Sequence, residues 1–506
     1  TFDIPIISFY EYQFMKPVLN KIVIAYQSSK QGRSKEAQSL YARLYELIKE
    51  LIQNNELPQG SILPATRLLS SELGISRSTA IRAYEFLRIE GYVESKPGSG
   101  TIIKPLKVEQ IKEVQAEHHG YPELSDLGKS FFNNAPLLNS TDDKSVAFRP
   151  GLPPLDAFPV NTWKNLSNLY WKNINLSGLS YSPASGIEQL KVNISNYLNL
   201  TRGIQCDYSQ VFIVSGTLQS LFLTGTCLIN KGDSVLIENP TFPNVISIFK
   251  GLQADVTGID IDEEGMKVED MKAIQQKPKL IHTTPSCHYP IGVQMSLKRR
   301  LELLEYANEN EAIIIENDYE HELNNWKDSL PALFTLDKEE RTIYMGTFNR
   351  LLHPSLRIGY MIVPHYIASP LEILLKHSHR FVPTSTQLVL NQFIEKKHLY
   401  HHLQNVVNIT EKRRIVFTEY FEERFAKSSL AMQPETTKSL QLLLNLRSGK
   451  DKELVELFAR HNIVTHSYHK CFVKPTDQQG LILGYSPMRI PMLKTKVQQM
   501  SQLINL

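Results

Sequence analysis

The chain has 506 residues and a mass of 57.9 kDa, which is long enough for two to four domains. Its composition, with 42% hydrophobic and 21% charged residues, is that of a globular protein and excludes a largely disordered chain. A net charge of +3 does not by itself indicate a nucleic-acid partner. The sequence contains no run of about 18 apolar residues, so it predicts no membrane span. The four cysteines form no CxxC pair, which favours the reducing cytoplasm over a disulfide framework or a zinc ribbon.

The N-terminal part of the chain predicts a small helical module. Residues 1–35 have no clear pattern and are assigned to an extension of unknown role. From Glu36, apolar residues recur at helical spacing, a second short helix ends at Gly74, and Ser76 is suited to cap a third helix. Two β-branched runs joined by Pro97–Gly100 then predict a hairpin. Three helices and a hairpin over residues 36–104 outline a winged helix-turn-helix.

The third predicted helix carries residues suited to reading DNA. It begins with Ser76–Thr79 and continues to Arg82, which places two guanidinium groups and three hydroxyls near one end. In a helix-turn-helix the first residues of this helix enter the major groove, where Arg suits guanine edges and phosphates. Ordinary surface residues are the competing interpretation, because residues 36–106 contain eight basic and eight acidic residues. Composition alone leaves both interpretations open.

The whole module resembles the GntR-type winged-helix domain. The segments that carry the resemblance are Ser39–Tyr41, Gly60–Arg67, Leu73–Thr79, Ala83-Tyr84, Glu90–Ser95 and Gly98–Thr101. It covers nearly all of residues 38–103 and implies sequence-specific, dimeric binding to a double-stranded DNA operator. The contacts that it implies are Arg67, Arg77, Ser78, Thr79 and the Gly98–Thr101 wing. With the second arginine of the helix and the lysine of the hairpin tip, the predicted DNA-contact residues are Arg67, Arg77, Ser78, Thr79, Arg82, Lys96, Ser99, Gly100 and Thr101.

Residues 105–145 are polar and predict a linker, and beyond them the pattern changes. Short, nearly continuous apolar runs alternate with helical stretches over residues 146–506. This alternation predicts an α/β domain with a mostly parallel sheet covered on both faces, and a smaller C-terminal α+β subdomain. The predicted strands are 211–214, 234–237, 280–283, 312–315, 342–345 and 359–363.

Four segments of this domain resemble, in order and spacing, the fold type I aminotransferase-like domain of the MocR/GabR regulators. In those proteins a GntR-type winged helix is fused to a domain that binds pyridoxal phosphate. The segments are Ser215–Ser220, Thr284–Gly292, Glu316–Tyr319 and Gly346–Tyr360. The resemblance covers about residues 145–490 and implies a head-to-tail homodimer.

Carried over residue by residue, the phosphate side of the family's cofactor site is retained. Ser215, Gly216 and Thr217 match its phosphate cradle, and Arg357 matches its phosphate-side arginine. Tyr319 matches the tyrosine that hydrogen-bonds the ring hydroxyl of the cofactor. The resemblance therefore implies a site that can still bind phosphate.

The reactive positions differ from the family pattern. The Schiff-base lysine is Arg350, the aspartate that pairs with the pyridine nitrogen is Asn317, the stacking aromatic is Phe242, and the serine before the lysine is Asn349. A guanidinium stays protonated and forms no Schiff base, and Asn317 has no charge to hold a pyridinium. Asp318 is a poor substitute, since neighbouring strand residues point to opposite faces. We therefore expect a non-enzymatic domain.

The retained cradle has two explanations that the sequence leaves open. Its residues persist because they pack the fold, or they form with Asn349, Arg350 and Arg357 a pocket for a small anionic effector. The predicted pocket also includes His288. A noncovalently held pyridoxal phosphate belongs to the second explanation. No covalent cofactor is expected, because residue 350 is an arginine. No metal is expected either, because two histidines of the His398–His402 segment stand at close to metal spacing without a third type of ligand nearby.

Taken together, the sequence predicts a cytoplasmic DNA-binding transcriptional regulator whose large domain dimerises. A working pyridoxal-phosphate enzyme fused to a DNA-binding module is the first alternative, and it requires a lysine other than residue 350. A purely architectural DNA-binding dimer, whose large domain binds nothing, is the second.

Overall fold

The computed structural model describes residues 9–30, 39–96, 100–105, 121–138, 145–324, 330–426, 428, 430–432, 438–447 and 449–504. The chain divides into two compact units, Thr1–Pro122 and Glu123–Leu506. The boundary between them lies inside the predicted linker. Among the described helices, none combines the length and the apolar character needed to cross a bilayer.

The first unit is a helical module closed by a small sheet. Its elements are α1 (Phe9–Lys30), α2 (Leu40–Gln53), β1 (Ile62–Leu63), α3 (Thr66–Leu73), α4 (Arg77–Ile89), β2 (Val93–Lys96) and β3 (Gly100–Ile103). The strands are antiparallel in the order β1-β3-β2, with Ile62 opposite Ile102 and Val93 opposite Ile103. Three helices and a hairpin thus follow the predicted winged helix-turn-helix.

Helix α1 lies within the segment that the sequence left as an extension of unknown role. Its Val18, Leu19, Ile22 and Tyr26 are buried in the same core as the apolar residues of α2, α3 and α4. The Nζ of Lys21 donates a 2.6 Å hydrogen bond to the Glu56 carbonyl. This helix is therefore part of the hydrophobic core of the module.

The second unit contains the remaining elements. Its helices are α5 (Asp126–Asn134), α6 (Val160–Asn173), α7 (Glu188–Arg202), α8 (Thr217–Leu228), α9 (Pro243–Gly251), α10 (Val268–Met271), α11 (Leu297–Asn310), α12 (Leu333–Leu336), α13 (His365–Ser378), α14 (Thr384–Glu395), α15 (His398–Phe425), α16 (Asp451–Arg460) and α17 (Ile490–Ile504). Its strands are β4 (Val211–Val214), β5 (Ser234–Asn239), β6 (Asp255–Asp262), β7 (Gly265–Met266), β8 (Pro278–Thr283), β9 (Ile313–Asn317), β10 (Thr342–Thr347), β11 (Gly359–Ile362), β12 (Leu430–Met432), β13 (Gln441–Leu446), β14 (His466–Ser467) and β15 (Gly480–Gly484).

Eight strands form one mixed, mostly parallel sheet in the order β4-β11-β10-β9-β8-β5-β6-β7. The pairs from β10 to β6 are parallel, whereas β11 and β7 run antiparallel to their neighbours. All six predicted strands lie in this sheet, while β6 and β7 were not predicted. In β6, the acidic residues Asp255, Asp260 and Asp262 interrupt the apolar run on which the strand predictions depended.

The large sheet has a hydrophobic core on each face. Val211 and Ile213 of β4 pack with residues of α7 and α14, while Phe212 and Val214 pack with residues of α8, α9 and α13. Such continuous burial explains why its strands are apolar at successive positions. A second, antiparallel sheet in the order β12-β13-β15-β14 packs with α15 and α17 as the small C-terminal subdomain.

Part of the predicted linker is helical and belongs to the second unit. Ser130 of α5 donates a 2.8 Å hydrogen bond to the Lys250 carbonyl at the end of α9. The ring of Phe131 lies so close to Gly251 that a Cβ there would meet it at 2.3 Å. The absence of a side chain at Gly251 therefore allows α5 to pack on α9.

Replacing Ile22 tests whether α1 stabilises the first unit. Ile22 is fully buried, so Ile22→Ala is expected to lower the free energy of unfolding of this unit by about 2–4 kcal/mol. Ile24, on the same helix, is 64% exposed, and Ile24→Ala is the matched control with an expected loss below about 0.5 kcal/mol. Urea unfolding of the full chain, followed by hydrogen exchange in peptides from α2 and α4, measures both. Equal losses would contradict the assignment of α1 to the core.

Candidate DNA-binding face and cofactor-like pocket

The turn between α3 and α4 is set by a glycine and a serine cap. Gly74 ends α3 in the left-handed conformation with φ +62°, where a side chain is disfavoured. The Ser76 hydroxyl accepts a 3.2 Å hydrogen bond from the backbone N–H of Thr79. It also lies 2.8 Å from the hydroxyls of Ser78 and Thr79. Two of the predicted DNA-contact residues therefore take part in fixing the first turn of α4.

The three predicted DNA-contact arginines have different surroundings. Arg67 and Arg77 are exposed at the first turns of α3 and α4, and neither guanidinium has an ion pair or hydrogen bond to another described residue. Arg82 is also exposed, and its guanidinium carbon lies 4.8 Å from the centre of the Tyr41 ring. Arg67 and Arg77 are thus available to phosphates or base edges, whereas Arg82 is held over an aromatic ring.

The predicted wing is only partly described. Lys96, at the end of β2, pairs with Glu94 at 3.0 Å. Gly100 begins β3 with φ +80°, and Thr101 follows it. Ser99 lies outside the described residues. The described part of the wing therefore presents a lysine whose charge is shared with a neighbouring carboxylate.

The topology of the large sheet gathers the predicted pocket at one edge. Ser215 follows β4, Phe242 follows β5, Asn317 ends β9 and Asn349 follows β10. These four strands are parallel to one another, so their carboxyl ends meet at the same edge. Ligands of open α/β sheets bind at such an edge.

The predicted phosphate cradle is the start of α8. The Ser215 N–H donates a 2.6 Å hydrogen bond to Gln219 Oε1, and Gly216 precedes the helix with φ +135°. Thr217 is the first helical residue. The free N–H groups and the dipole of a helix N-terminus attract anions.

Arg357 and Arg380 line a cavity beside this helix start. The cavity has a volume of about 180 Å³, and Ser215, Gln219 and His379 are among its other lining residues. Arg357 is exposed and has no ion pair or hydrogen bond to another described residue. The cavity thus combines two guanidinium groups with the amino end of a helix.

Asn349 has a structural role beside the cradle. Its Nδ2 donates a 3.1 Å hydrogen bond to the Ser215 carbonyl, and its Oδ1 accepts a 2.9 Å bond from the Ile358 N–H. A Cβ on Gly216 would lie 2.7 Å from the same Nδ2. Both ends of the amide are therefore engaged in holding two loops together.

Arg350 is held by a buried carboxylate. Its Nη1 contacts Glu320 Oε1 and donates a 3.1 Å hydrogen bond to Gln441 Oε1. Its guanidinium carbon lies 4.7 Å from the centre of the Tyr319 ring, and a Cβ on Gly151 would meet the same guanidinium at 2.7 Å. Burial alone would lower the pKa of Arg350, but Glu320 raises it above its usual value. The arginine therefore stays charged.

The ion pair connects the large sheet to the small subdomain. Glu320 follows β9, and its Oε2 accepts hydrogen bonds from Ser439 Oγ at 2.8 Å and from the Leu440 N–H at 3.1 Å. Both residues, with Gln441, precede or begin β13. Sequence reasoning missed these partners. Glu320 directly follows the Glu316–Tyr319 segment, so the sequence could have indicated it as a pocket residue. No motif near Gln441 predicts a contact with Arg350.

Several buried polar atoms at the ends of these strands have no hydrogen-bond partner in the described structure. Its Nδ2 lies 3.4 Å from His282 Nε2, and His288 Nε2 lies 3.0 Å from the Pro240 carbonyl. Asn317 Oδ1 and the Nδ1 atoms of both histidines are buried without a hydrogen-bond partner in the described structure. Burial lowers the pKa of His282 to about 4, so that ring is neutral near pH 7. Buried polar atoms of this kind usually bind a ligand or water.

Asp318 faces a different set of residues from Asn317. It pairs with Arg202 Nε at 2.9 Å and accepts a 2.8 Å hydrogen bond from the Tyr344 hydroxyl. Burial would raise the pKa of Asp318, but Arg202 keeps it below its usual value. None of these partners belongs to the predicted pocket, in agreement with the alternation of side chains along a strand.

The two aromatic residues of the predicted pocket are engaged within the protein. The Tyr319 hydroxyl donates a 3.1 Å hydrogen bond to the Cys287 carbonyl. Phe242 lies edge-to-face with Tyr289, with the ring centres 5.1 Å apart. The structure thus brings the predicted pocket residues to one edge of the sheet, but several of them already have partners in the chain.

Comparison with known proteins gives two matching families. The gntR family of bacterial regulatory proteins matches residues 40–103, and the aminotransferase class I and II family matches residues 160–481. The probable rhizopine catabolism regulatory protein MocR of Rhizobium meliloti is 30% identical over 449 residues, which are 88% of this chain and 90% of that protein. The chain belongs to the MocR-type transcriptional regulators.

Other similarities agree with this family. The pyridoxine biosynthesis transcriptional regulator PdxR of Corynebacterium glutamicum is 28% identical over 384 residues, covering 75% of this chain and 78% of that protein. An archaeal alanine:glyoxylate aminotransferase has a TM-score of 0.67 and 22% identity, covering 76% of this chain and 96% of its own. That structural likeness shows a fold type I aminotransferase fold in this MocR-type regulator.

Removing the charge of Glu320 tests how strongly the ion pair holds the second unit together. Glu320→Gln leaves Arg350 charged without its buried partner and is expected to lower the free energy of unfolding by about 2–3 kcal/mol. Glu340→Gln is the matched control, because Glu340 and its partner His365 are both more than half exposed and the loss should be below about 0.5 kcal/mol. Urea unfolding of the full chain measures both variants. A loss as small as that of the control would contradict the structural role of the pair.

Proposed function

We propose that this MocR-type regulator acts as a homodimer whose winged helix binds a double-stranded operator and whose aminotransferase-like unit binds a small anion without covalent cofactor chemistry. The protein is proposed to act in the cytoplasm, where bacterial DNA is found. The observation that carries the proposal is the ion pair of Arg350 with Glu320, at the position where the family resemblance places the Schiff-base lysine.

The residues present do not fit a covalently bound pyridoxal phosphate. A Schiff base needs a deprotonated amine, and Arg350 is a guanidinium that Glu320 keeps charged. The guanidinium lies over the Tyr319 ring, whose hydroxyl is already bonded to the Cys287 carbonyl. Asn317 is uncharged and does not hold a protonated ring nitrogen. We therefore propose that the unit is not an enzyme and derive no catalytic step.

The cradle nevertheless has the chemistry of an anion site. The start of α8 provides backbone N–H groups, and Arg357 has no competing carboxylate among the described residues. A guanidinium beside a helix N-terminus suits a phosphate or a carboxylate. The unpaired atoms near Asn317 and His288 would be satisfied by a polar ligand that extends from the cradle. Pyridoxal phosphate bound noncovalently is one ligand of this class.

DNA binding by the first unit is supported by exposed side chains at the starts of α3 and α4. Arg67 and Arg77 are the two arginines there without an ion pair in the described structure. Such groups can neutralise phosphates or bind guanine edges without first breaking an ion pair within the protein. A head-to-tail dimer is what the family resemblance implies.

Exposed apolar side chains support self-association. Val160, Trp171, Leu176 and Tyr181, which lie close together in the chain, are between 57% and 87% exposed. Large exposed apolar areas usually mark an interaction surface. We propose that a second copy of the chain covers this segment.

Titration with pyridoxal phosphate tests the loss of covalent chemistry. Because residue 350 is not a lysine, the wild type is expected to show no imine absorption band and no borohydride-fixed adduct. Arg350→Lys is expected to gain both, since the cradle is unchanged. Equilibrium dialysis should detect noncovalent binding that Arg357→Gln weakens about tenfold, whereas the surface variant Arg460→Gln has no effect. An adduct fixed to the wild type would show that another lysine reacts and would overturn the proposal.

Substitution of Arg77 tests the recognition helix. Arg77→Gln is expected to weaken binding to an operator, selected from random DNA by the wild type, by about tenfold or more. If Arg77 binds a phosphate, the slope of log affinity against log salt also falls by about one unit. Arg88→Gln, at the other end of α4, is the matched control and should bind like the wild type. Fluorescence anisotropy measures these affinities. Equal effects of the two substitutions would place the interface elsewhere.

A further inference from the structure

A larger cavity lies elsewhere in the second unit. It has a volume of about 900 Å³ and shares no lining residue with the cavity of Arg357 and Arg380 at the start of α8. Its apolar lining includes Leu200 of α7, Leu323, and Leu403 and Val407 of α15. A concave, mostly apolar space with a few converging polar groups is typical of a small-molecule site.

Two of the polar residues that line this cavity, His321 and Glu322, are buried. His321 is 7% exposed, and neither of its ring nitrogens has a hydrogen-bond partner in the described structure. Its Nδ1 lies 3.4 Å from Glu322 Oε2 and 3.6 Å from Asp318 Oδ2, close enough for an ion pair with either carboxylate when the ring is protonated, but it forms no hydrogen bond with them. Glu322 Oε1 accepts a 2.9 Å hydrogen bond from the Tyr197 hydroxyl. A buried imidazole without a hydrogen bond, next to a buried carboxylate, favours a polar ligand group that completes the site.

The charges around the cavity favour a cation. Lys438, which also lines the cavity, pairs with Glu411 at 3.1 Å, and Asp318 is balanced by Arg202. Glu322 has no lysine or arginine partner in the described structure, and its one potential cationic neighbour there is the His321 ring at 3.4 Å. Burial raises the pKa of Glu322, and a cation beside it would favour its ionised form.

Two aromatic rings add to this preference. Tyr197 and Tyr400 both line the cavity, with ring centres 6.1 Å apart. Aromatic faces attract organic cations, most strongly where water is excluded. A carboxylate, two aromatic rings and an imidazole without a hydrogen bond together suit an ammonium group.

We propose that this cavity binds a small primary amine, with its ammonium group at Glu322 and His321 and its apolar body against the leucines. The ligand class is an alkyl or arylalkyl amine, in contrast to the anion expected at the cradle. The inference stands on the cavity alone and does not rest on the proposed function.

The test is isothermal titration calorimetry of the full chain with three ligands of one shape. These are 2-phenylethylamine, 3-phenylpropanoate and 2-phenylethanol, which carry a cationic, an anionic and a neutral head on the same body. The amine is expected to bind saturably and at least about tenfold more tightly than the carboxylate. Saturating inorganic phosphate should leave amine binding unchanged, because the two cavities are separate.

Two variants locate the site. Glu322→Gln keeps the size of the side chain and is expected to weaken amine binding about tenfold or more, and Leu403→Trp places a bulky indole in the cavity and is expected to weaken it as well. Glu263→Gln, an exposed glutamate outside the cavity, is the matched control with unchanged affinity. No saturable binding to the wild type, equal binding of the carboxylate, or unaltered affinity in Leu403→Trp would each overturn the proposal. The comparison of the three ligands on the wild type decides the matter even if a variant fails to fold.

Discussion

The ion pair between Glu320 and Arg350 is the constraint on which the arrangement of the second unit depends. Glu320 is buried, so its charge requires a cation and hydrogen-bond donors close by. Arg350 provides the cation from the end of the large sheet, and Ser439 and Leu440 provide donors from the small subdomain. One carboxylate thereby joins both parts. The same arginine occupies the position where the family resemblance places the reactive lysine. The pocket therefore contains a charged guanidinium paired with Glu320 in place of a reactive amine.

The end of strand β9 separates two chemically different regions. Asn317 contacts His282 and has an unpaired Oδ1, whereas Asp318 contacts Arg202 and Tyr344 and lies near His321. Because consecutive residues of an extended chain alternate in direction, the two adjacent positions 317 and 318 provide side chains to different regions. We propose that the cavity at the start of α8 binds an anion because Arg357 and Arg380 line it. The His321 cavity is proposed to bind a cation because Glu322 lines it.

Much of the fold was predictable because its signals are local. The glycine at position 74, the serine cap at 76 and the hairpin signal around Pro97–Gly100 each act within a few residues, and the helices and strands around them agree with the structure. Helix α1 was not predictable in the same way. Its β-branched run at Ile22–Ile24 resembles a strand, and only burial against the other helices explains why Ile22 is enclosed and Ile24 is exposed.

The sequence by itself determined the two domain types, the family and the identity of the residues at each reactive position, because these depend on residue type and spacing. The replacement of the lysine by Arg350 is visible without coordinates. Only the tertiary structure decided which partners those residues have. Glu320 and Gln441 are 30 and 91 positions from Arg350. His321 and Tyr400 line the same cavity only because α15 packs beside the segment that carries His321. Contacts between distant segments depend on how the sheet and helices pack, and no local pattern records that packing.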